Sequence, residues 1–181
     1  MDLTIHTTQT APDEARPVLE GIDADLGFVP NLAAASAESP ALVTGFDALR
    51  RAVLATKIDP VDREVAGLAV GVAVDNRYGV AFHSTVLVNL GIGEEDLAAM
   101  RSGTPPAAER QAAVYEFARA FVTGRGKVDD AVLDRLTATA ASTADILDLV
   151  TECAFASLVG LVDNLAGGVP LDPFLAPRAW S

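Results

Sequence analysis

The chain has 181 residues, half of them hydrophobic and only 6% aromatic, and its 13 Lys and Arg stand against 25 Asp and Glu, for a net charge of −12. That length suits one domain with a substantial core, and the Ala-, Val- and Leu-rich mixture favours closely packed helices of small side chains. So acidic a balance speaks against nucleic acid and anionic membrane as partners, and it keeps an apolar-rich chain soluble.

In chain order, the first segment, Met1-Asp2-Leu3-Thr4-Ile5-His6, has neither the basic n-region nor the apolar h-region of a secretory leader. The longest apolar runs, 65–74 and 153–162, are too short to cross a bilayer. A cytoplasmic protein is therefore expected. A helix is predicted over 12–25, with Pro12 in its opening turn. A turn follows at Gly27-Phe28-Val29-Pro30-Asn31, then a short Ala-rich helix. Ser39-Pro40 starts the next, whose Leu42, Phe46, Leu49 and Val53 recur at helical spacing.

Asp59-Pro60-Val61-Asp62 combines an N-cap, a proline at the first helical position and an acid at the positive end of the helix dipole. The apolar run 65–74 behind it reads as helix, although the alternation of Val70, Val72 and Val74 also fits a buried strand. Gly67 and Gly71 then share one face, where they would admit a neighbouring helix. A second helix is predicted over 77–90, with Gly91 just past its end. Short helices at 94–100 and 129–139 are expected, as is one opening at Thr104-Pro105 and closing at Gly124-Arg125-Gly126. Ser142-Thr143-Ala144-Asp145 resembles a capping box, and the helix behind it runs to Ala166, apolar nearly all round over 153–162. Gly167-Gly168-Val169-Pro170 stops it. The tail 168–181 is expected to be extended and to wrap a neighbouring surface.

The chemistry concentrates at Glu64 and His83. Glu64 lies ten residues before Val74 and His83 nine after it. In an antiparallel helix hairpin rising about 1.5 Å per residue, such arms bring the two side chains level. A nearby carboxylate raises the pKa of an imidazole and burial lowers it, so the pair can be tuned for proton transfer near neutral pH. A structural His–Glu bond tying two helices together reads the same residues equally well. Asn76, Gly79 and His83 fall on one helical face, with Asn76 offering an amide, Gly79 opening space and Tyr78 able to cover the opening. A metal site is short of ligands, with only His83, Glu64 and Asp75 at hand, and no metal or cofactor is expected. His6 sits in a loose terminus. Cys153, the only cysteine, lies among apolar neighbours and reads as a small core residue, leaving no thiol pair for redox cycling.

These residues, in this order, resemble the alkylhydroperoxidase D (AhpD)-like and carboxymuconolactone decarboxylase superfamily, in its peroxidase-related branch. Members carry a Glu and, further along, Cys-x-x-Cys-x-x-x-His. Here Arg63-Glu64 matches the Glu region and His83 the His, while Tyr78 matches a common residue between the cysteines. Asn76 and Gly79 stand where the cysteines would be. Gly27-Phe28-Val29-Pro30-Asn31, Gly91-Ile92-Gly93-Glu94-Glu95-Asp96, Phe117-Ala118-Arg119-Ala120 and Asn164-Leu165-Ala166-Gly167 are similar to further landmarks, so the resemblance covers about residues 15–172.

The resemblance implies an all-α, AhpD-like helical bundle, a single domain over 1–181, assembled through its helices into a homo-oligomer (dimer, trimer or hexamer). It also implies thiol peroxidase activity or cofactor-free decarboxylation of a lactone acid. The first needs one thiolate to attack the peroxide and a second thiol to resolve the sulfenic acid, which Asn and Gly cannot do. The expectation is an acid–base enzyme for a small organic substrate, with His83 and Glu64 catalytic and Asn76, Tyr78 and Gly79 binding substrate. The alternatives are a non-catalytic binder or scaffold and, last, residual peroxidase activity through Cys153.

Overall fold

The structure, a computed structural model, describes residues 1–180. Among them the secondary structure is entirely helical: α1 (Arg16–Leu26), α2 (Asn31–Ser36), α3 (Pro40–Ala55), α4 (Pro60–Ala73), α5 (Arg77–Asn89), α6 (Glu94–Arg101), α7 (Glu109–Thr123), α8 (Asp130–Ala138), α9 (Thr143–Ala166) and a 3-10 turn (Pro173–Arg178). No helix among the described residues is long and apolar enough to cross a membrane.

Local chemistry sets most of these boundaries. Ser39 and Asp59 cap α3 and α4 by accepting from the backbone N–H of Leu42 and Val61. Ser142 and Asp145 form a reciprocal capping box on α9, and Gly167 ends it in the left-handed conformation at φ 79°. The segment 65–74 is helical up to Ala73, so the strand alternative falls. The Asp59 cap and Pro60 commit the chain to a helix before the alternating valines are reached.

Two predicted starts are corrected, and proline is the reason for both. Helix α1 begins at Arg16, not at Pro12, because Pro17 has no N–H for a bond one turn back; residues 8–15 form turns instead. Helix α7 begins at Glu109, not at Thr104-Pro105, because Pro106 drives Pro105 out of the helical region. The tail also departs from expectation. It turns back on its own chain, adds the 3-10 turn against α5, and buries Leu175 completely.

Helix α4 is the central rod, packed against α5, α7 and α9. Every residue from Glu64 to Gly71 is buried. One apolar cluster gathers α4 to α9, around Leu68, Leu87, Val114 and Phe117. A second gathers α1 to α3 and the tail against Tyr78, Ala81 and Val159. The site lies where these two clusters meet. The reversal between α4 and α5 falls at Val74–Asn76, with Asp75 at φ 55°. Gly71 lets α5 come close: an added Cβ would sit 3.2 Å from the Val80 backbone nitrogen.

Candidate active site

The hairpin places Glu64 and His83 side by side. His83 Nδ1 lies 2.8 Å from Glu64 Oε2, and both side chains are buried. A carboxylate only accepts, so Nδ1 carries the proton and donates it. The other Glu64 oxygen, Oε1, accepts from Arg63 Nε at 3.0 Å. Both oxygens of Glu64 are therefore engaged, and Nε2 is the nitrogen of His83 that Glu64 leaves free.

Beyond Nε2 stands Glu152, from the buried side of α9, with Oε1 at 3.7 Å. That separation is too long for a direct hydrogen bond, and Oε1 has no partner among the described residues. Gly67 makes this arrangement possible. A Cβ there would lie 2.1 Å from His83 Cε1 and 2.6 Å from Glu152 Oε1, so α4 passes beneath the two groups without a side chain.

Burial disfavours the charged form of each group, and the neighbours decide the outcome. For Glu64, the His83 bond and charge, helped by Arg63, overcome burial and hold the carboxyl below its ordinary range. For His83, burial is overcome by the bond to Glu64 and by the charges of Glu64 and Glu152, so its pKa is raised. For Glu152, burial prevails over the attraction of His83, and with the repulsion of Glu64 it pushes the carboxyl up to about 7.

The three groups open on a cavity of about 310 Å³. Its walls are mainly apolar, with Phe46, Phe82, Phe155, Val159 and Phe174 among them, and Arg50 and Arg63 add two cations. Phe174 of the tail meets Phe28 edge to face at 5.5 Å, closing one side. A cavity of about 150 Å³ already accepts benzene, so this one has room for a larger flat molecule.

Tyr78 and Gly79 line the cavity as well. The Tyr78 hydroxyl is not open to a ligand: it donates to Asp172, which also accepts from the backbone N–H of Asn31 at 3.2 Å. Asn76 departs from its expected role in substrate binding. It is fully buried and turned away from the cavity, with its Oδ1 accepting from Gly79 N at 2.6 Å and its Nδ2 donating to Asp163 Oδ2 at 2.6 Å. It caps α5 and ties it to α9, which leaves no polar atom for substrate.

Glu152 was missed from sequence. A lone acid on the apolar face of a long helix, between Leu149 and Cys153, was the available signal. Cys153 is fully buried and does not line the cavity, and burial pushes its thiol far up. Among the described residues no cluster of three or more His, Cys, Asp or Glu is arranged to hold a metal ion.

Residues 40–123, which span α3 to α7 and hold both Glu64 and His83, match the family model for the carboxymuconolactone decarboxylase family. The chain is thus similar to that family over α3 to α7, and its fold is AhpD-like over nearly its whole length. Solved structures agree with that placement in fold. A peroxidase-related protein with an AhpD core from Ralstonia eutropha JMP134 is 21% identical, with a TM-score of 0.80 over 98% of this chain and 96% of that one. A peroxidase-related protein from Silicibacter sp. TM1040 is 19% identical, with a TM-score of 0.72 over 96% and 91%. A variant of the debrominase Bmp8 in complex with 2,3,4-tribromopyrrole is 17% identical, with a TM-score of 0.77 over 98% and 95%. No protein with a curated description matches the chain. Proteins of this fold thus include an enzyme, the debrominase Bmp8.

Proposed function

We propose that this protein is a cofactor-free acid–base enzyme acting on a small, largely apolar organic molecule. One observation carries the reading: a buried imidazole, fixed by a carboxylate at Nδ1, presents its other nitrogen at an apolar cavity of about 310 Å³. His83 moves the proton and Glu64 holds the ring and stabilises its cationic form. Gly79 and the ring of Tyr78 shape the wall. Isomerisation, lactone opening, decarboxylation and dehydration all run on such a pair. Thiol peroxidase chemistry has no sulfur at the cavity to run on. A core packed solid around His83 would have favoured a non-catalytic relative; the open chamber favours the enzyme. The debrominase Bmp8, of the same fold, takes a small flat ring, and a flat ring suits these aromatic walls.

The test is hydrogen exchange and turnover over a panel of small lactones, acids and carbonyl compounds in heavy water, followed by proton NMR. The wild type is expected to label or convert at least one of them, and His83→Ala to fall to background with its helical circular dichroism intact. Activity retained in that variant would end the proposal. The reading includes self-association, with α9 offering the exposed Leu147, Leu161 and Leu165 to a second copy. Light scattering that returns only the 18.7 kDa monomer counts against that part.

A further inference from the structure

We propose that Glu152 is the general base of this site and that the ligand it serves is an apolar carbonyl compound with an acidic C–H next to its carbonyl. The inference rests on the acid–base reading above and deepens it.

Glu152 is 3% exposed, lines the cavity, and points an unpartnered Oε1 towards His83 Nε2. Leaving a buried polar atom without a partner costs stability, and an apolar residue would fill the same place on α9 at lower cost. Glu64 is the poorer base, since His83 and Arg63 each hold one of its oxygens. Glu152 has an oxygen to spare. The 3.7 Å gap to Nε2 leaves the two groups side by side, each free to meet a different atom of one short fragment. The charged groups that share the cavity with Glu152 are Glu64 and Arg63 from α4, His83 from α5 and Arg50 from α3, while the Tyr78 hydroxyl is turned to Asp172. Burial, opposed by His83, brings the carboxyl to about 7, so both of its forms are populated at neutral pH, as a base matched to that pH requires.

The step balances without a co-reactant. The Glu152 carboxylate removes the proton from the carbon beside the carbonyl. The C–H electron pair becomes the new carbon–carbon double bond, the carbonyl π pair moves to oxygen, and that oxygen takes the Nε2 proton of the His83 imidazolium. The products are an enol, a neutral Glu152 and a neutral imidazole still bonded to Glu64. Return of the proton to the same carbon is exchange; return to a conjugated carbon is isomerisation. The apolar walls accommodate the rest of the molecule.

The test uses the full chain with 2-tetralone and phenylacetone as probes, following C–H to C–D exchange by proton NMR over pH 5 to 9. The wild type is expected to exchange at least one ketone, with a rate that rises through a limb near pH 7. Glu152→Gln should lower kcat by at least about 100-fold, change KM by less than about threefold, and remove that limb. Glu152→Asp, which keeps the carboxyl, should recover part of the rate. A second measurement needs no turnover: carbon-13 shifts of labelled glutamates should show one carboxyl titrating near 7, absent from Glu152→Gln, and the His83 titration should fall in that variant. Exchange lost in His83→Ala but kept in Glu152→Gln overturns the base assignment and leaves the acid–base reading standing. Exchange kept in His83→Ala overturns the parent reading itself. A wild type that exchanges neither ketone overturns the ligand class, and a set of glutamates all titrating in the ordinary range overturns the assignment of Glu152.

Discussion

Gly67 has no side chain, and His83 and Glu152 occupy the space one would need. Gly67→Ala puts a methyl 2.1 Å from His83 Cε1. The imidazole must swing off Glu64, or α4 must shift, at a cost of about 1–3 kcal/mol. Gly45→Ala is the matched comparison, on an exposed stretch of α3 with nothing within 4 Å of the new Cβ. It is expected to gain about 0.5–1 kcal/mol, and opposite signs in urea titration check the pair. The titrating groups make a separate prediction. Glu64 is held low, so its contribution is lost as pH falls through its folded value. His83 is raised, so its contribution is complete below about 6.5 and lost as pH climbs through its folded value. Glu152 is raised to about 7, so stability declines between its unfolded value of about 4.3 and that point. Stability is therefore expected to peak under mildly acidic conditions and fall towards pH 8.5. Glu152→Gln should recover on the order of 3–4 kcal/mol at the alkaline end and little at pH 5. Parallel melting curves for the two proteins would contradict the burial argument. The Glu64–His83 contact was legible in sequence because a hairpin with nearly equal arms fixes who meets whom. Glu152 was not, since it arrives on a helix that no local spacing relates to the hairpin.

At the scale of elements, Asn76 and Gly79 prove to be one linked pair. Asn76 caps α5 through Gly79 N, and a Cβ on residue 79 would stand 2.4 Å from its Oδ1. With Asn at position 76, residue 79 has to be glycine. Gly79→Ala should displace the amide, cost the cap and leave Asp163 short of a donor, for about 2–4 kcal/mol in all. Asn76→Ala should cost a similar amount. The double variant should cost scarcely more than Asn76→Ala alone, because the methyl then has room. A cycle in urea should return a coupling close to the whole Gly79→Ala loss, about 2–4 kcal/mol; additive losses would separate the two positions. The sequence displayed both residues but not their contact, and so Asn76 was read as a ligand group. Capped starts at Ser39, Asp59 and Ser142 were legible because the cap lies within three residues of what it caps. The starts of α1 and α7 were misplaced where a later proline overruled an earlier helix signal.

At the scale of the molecule, the cavity is a seam between two apolar clusters, and the tail helps to hold it shut. Asp172 accepts from the N–H of Asn31, at the start of α2, and from the Tyr78 hydroxyl on α5. Arg101 reaches the carbonyl oxygens of Arg178 and Ala179 at 2.9 and 2.8 Å. Arg178 pairs with Glu94 at 2.6 Å. The first of these contacts is buried and the ion pair is exposed, so their energies differ. An exposed pair contributes about 0–1 kcal/mol, whereas stranding a buried hydroxyl and a backbone N–H costs about 1–3 kcal/mol each. Asp172→Ala is therefore expected to lose about 2–4 kcal/mol and roughly 5–15 °C in Tm, and Arg178→Ala about 1 °C to 3 °C. Asp172→Asn keeps an acceptor for Tyr78 and should fall between them. The site adds a second readout. Phe174 follows Asp172 by two residues and lines the cavity, so releasing the tail opens that wall. Asp172→Ala should weaken binding of an apolar ketone more than it slows the bound molecule, raising KM by a larger factor than it lowers kcat. Equal losses in both, or none, would show that the tail stabilises the bundle without shaping the chamber.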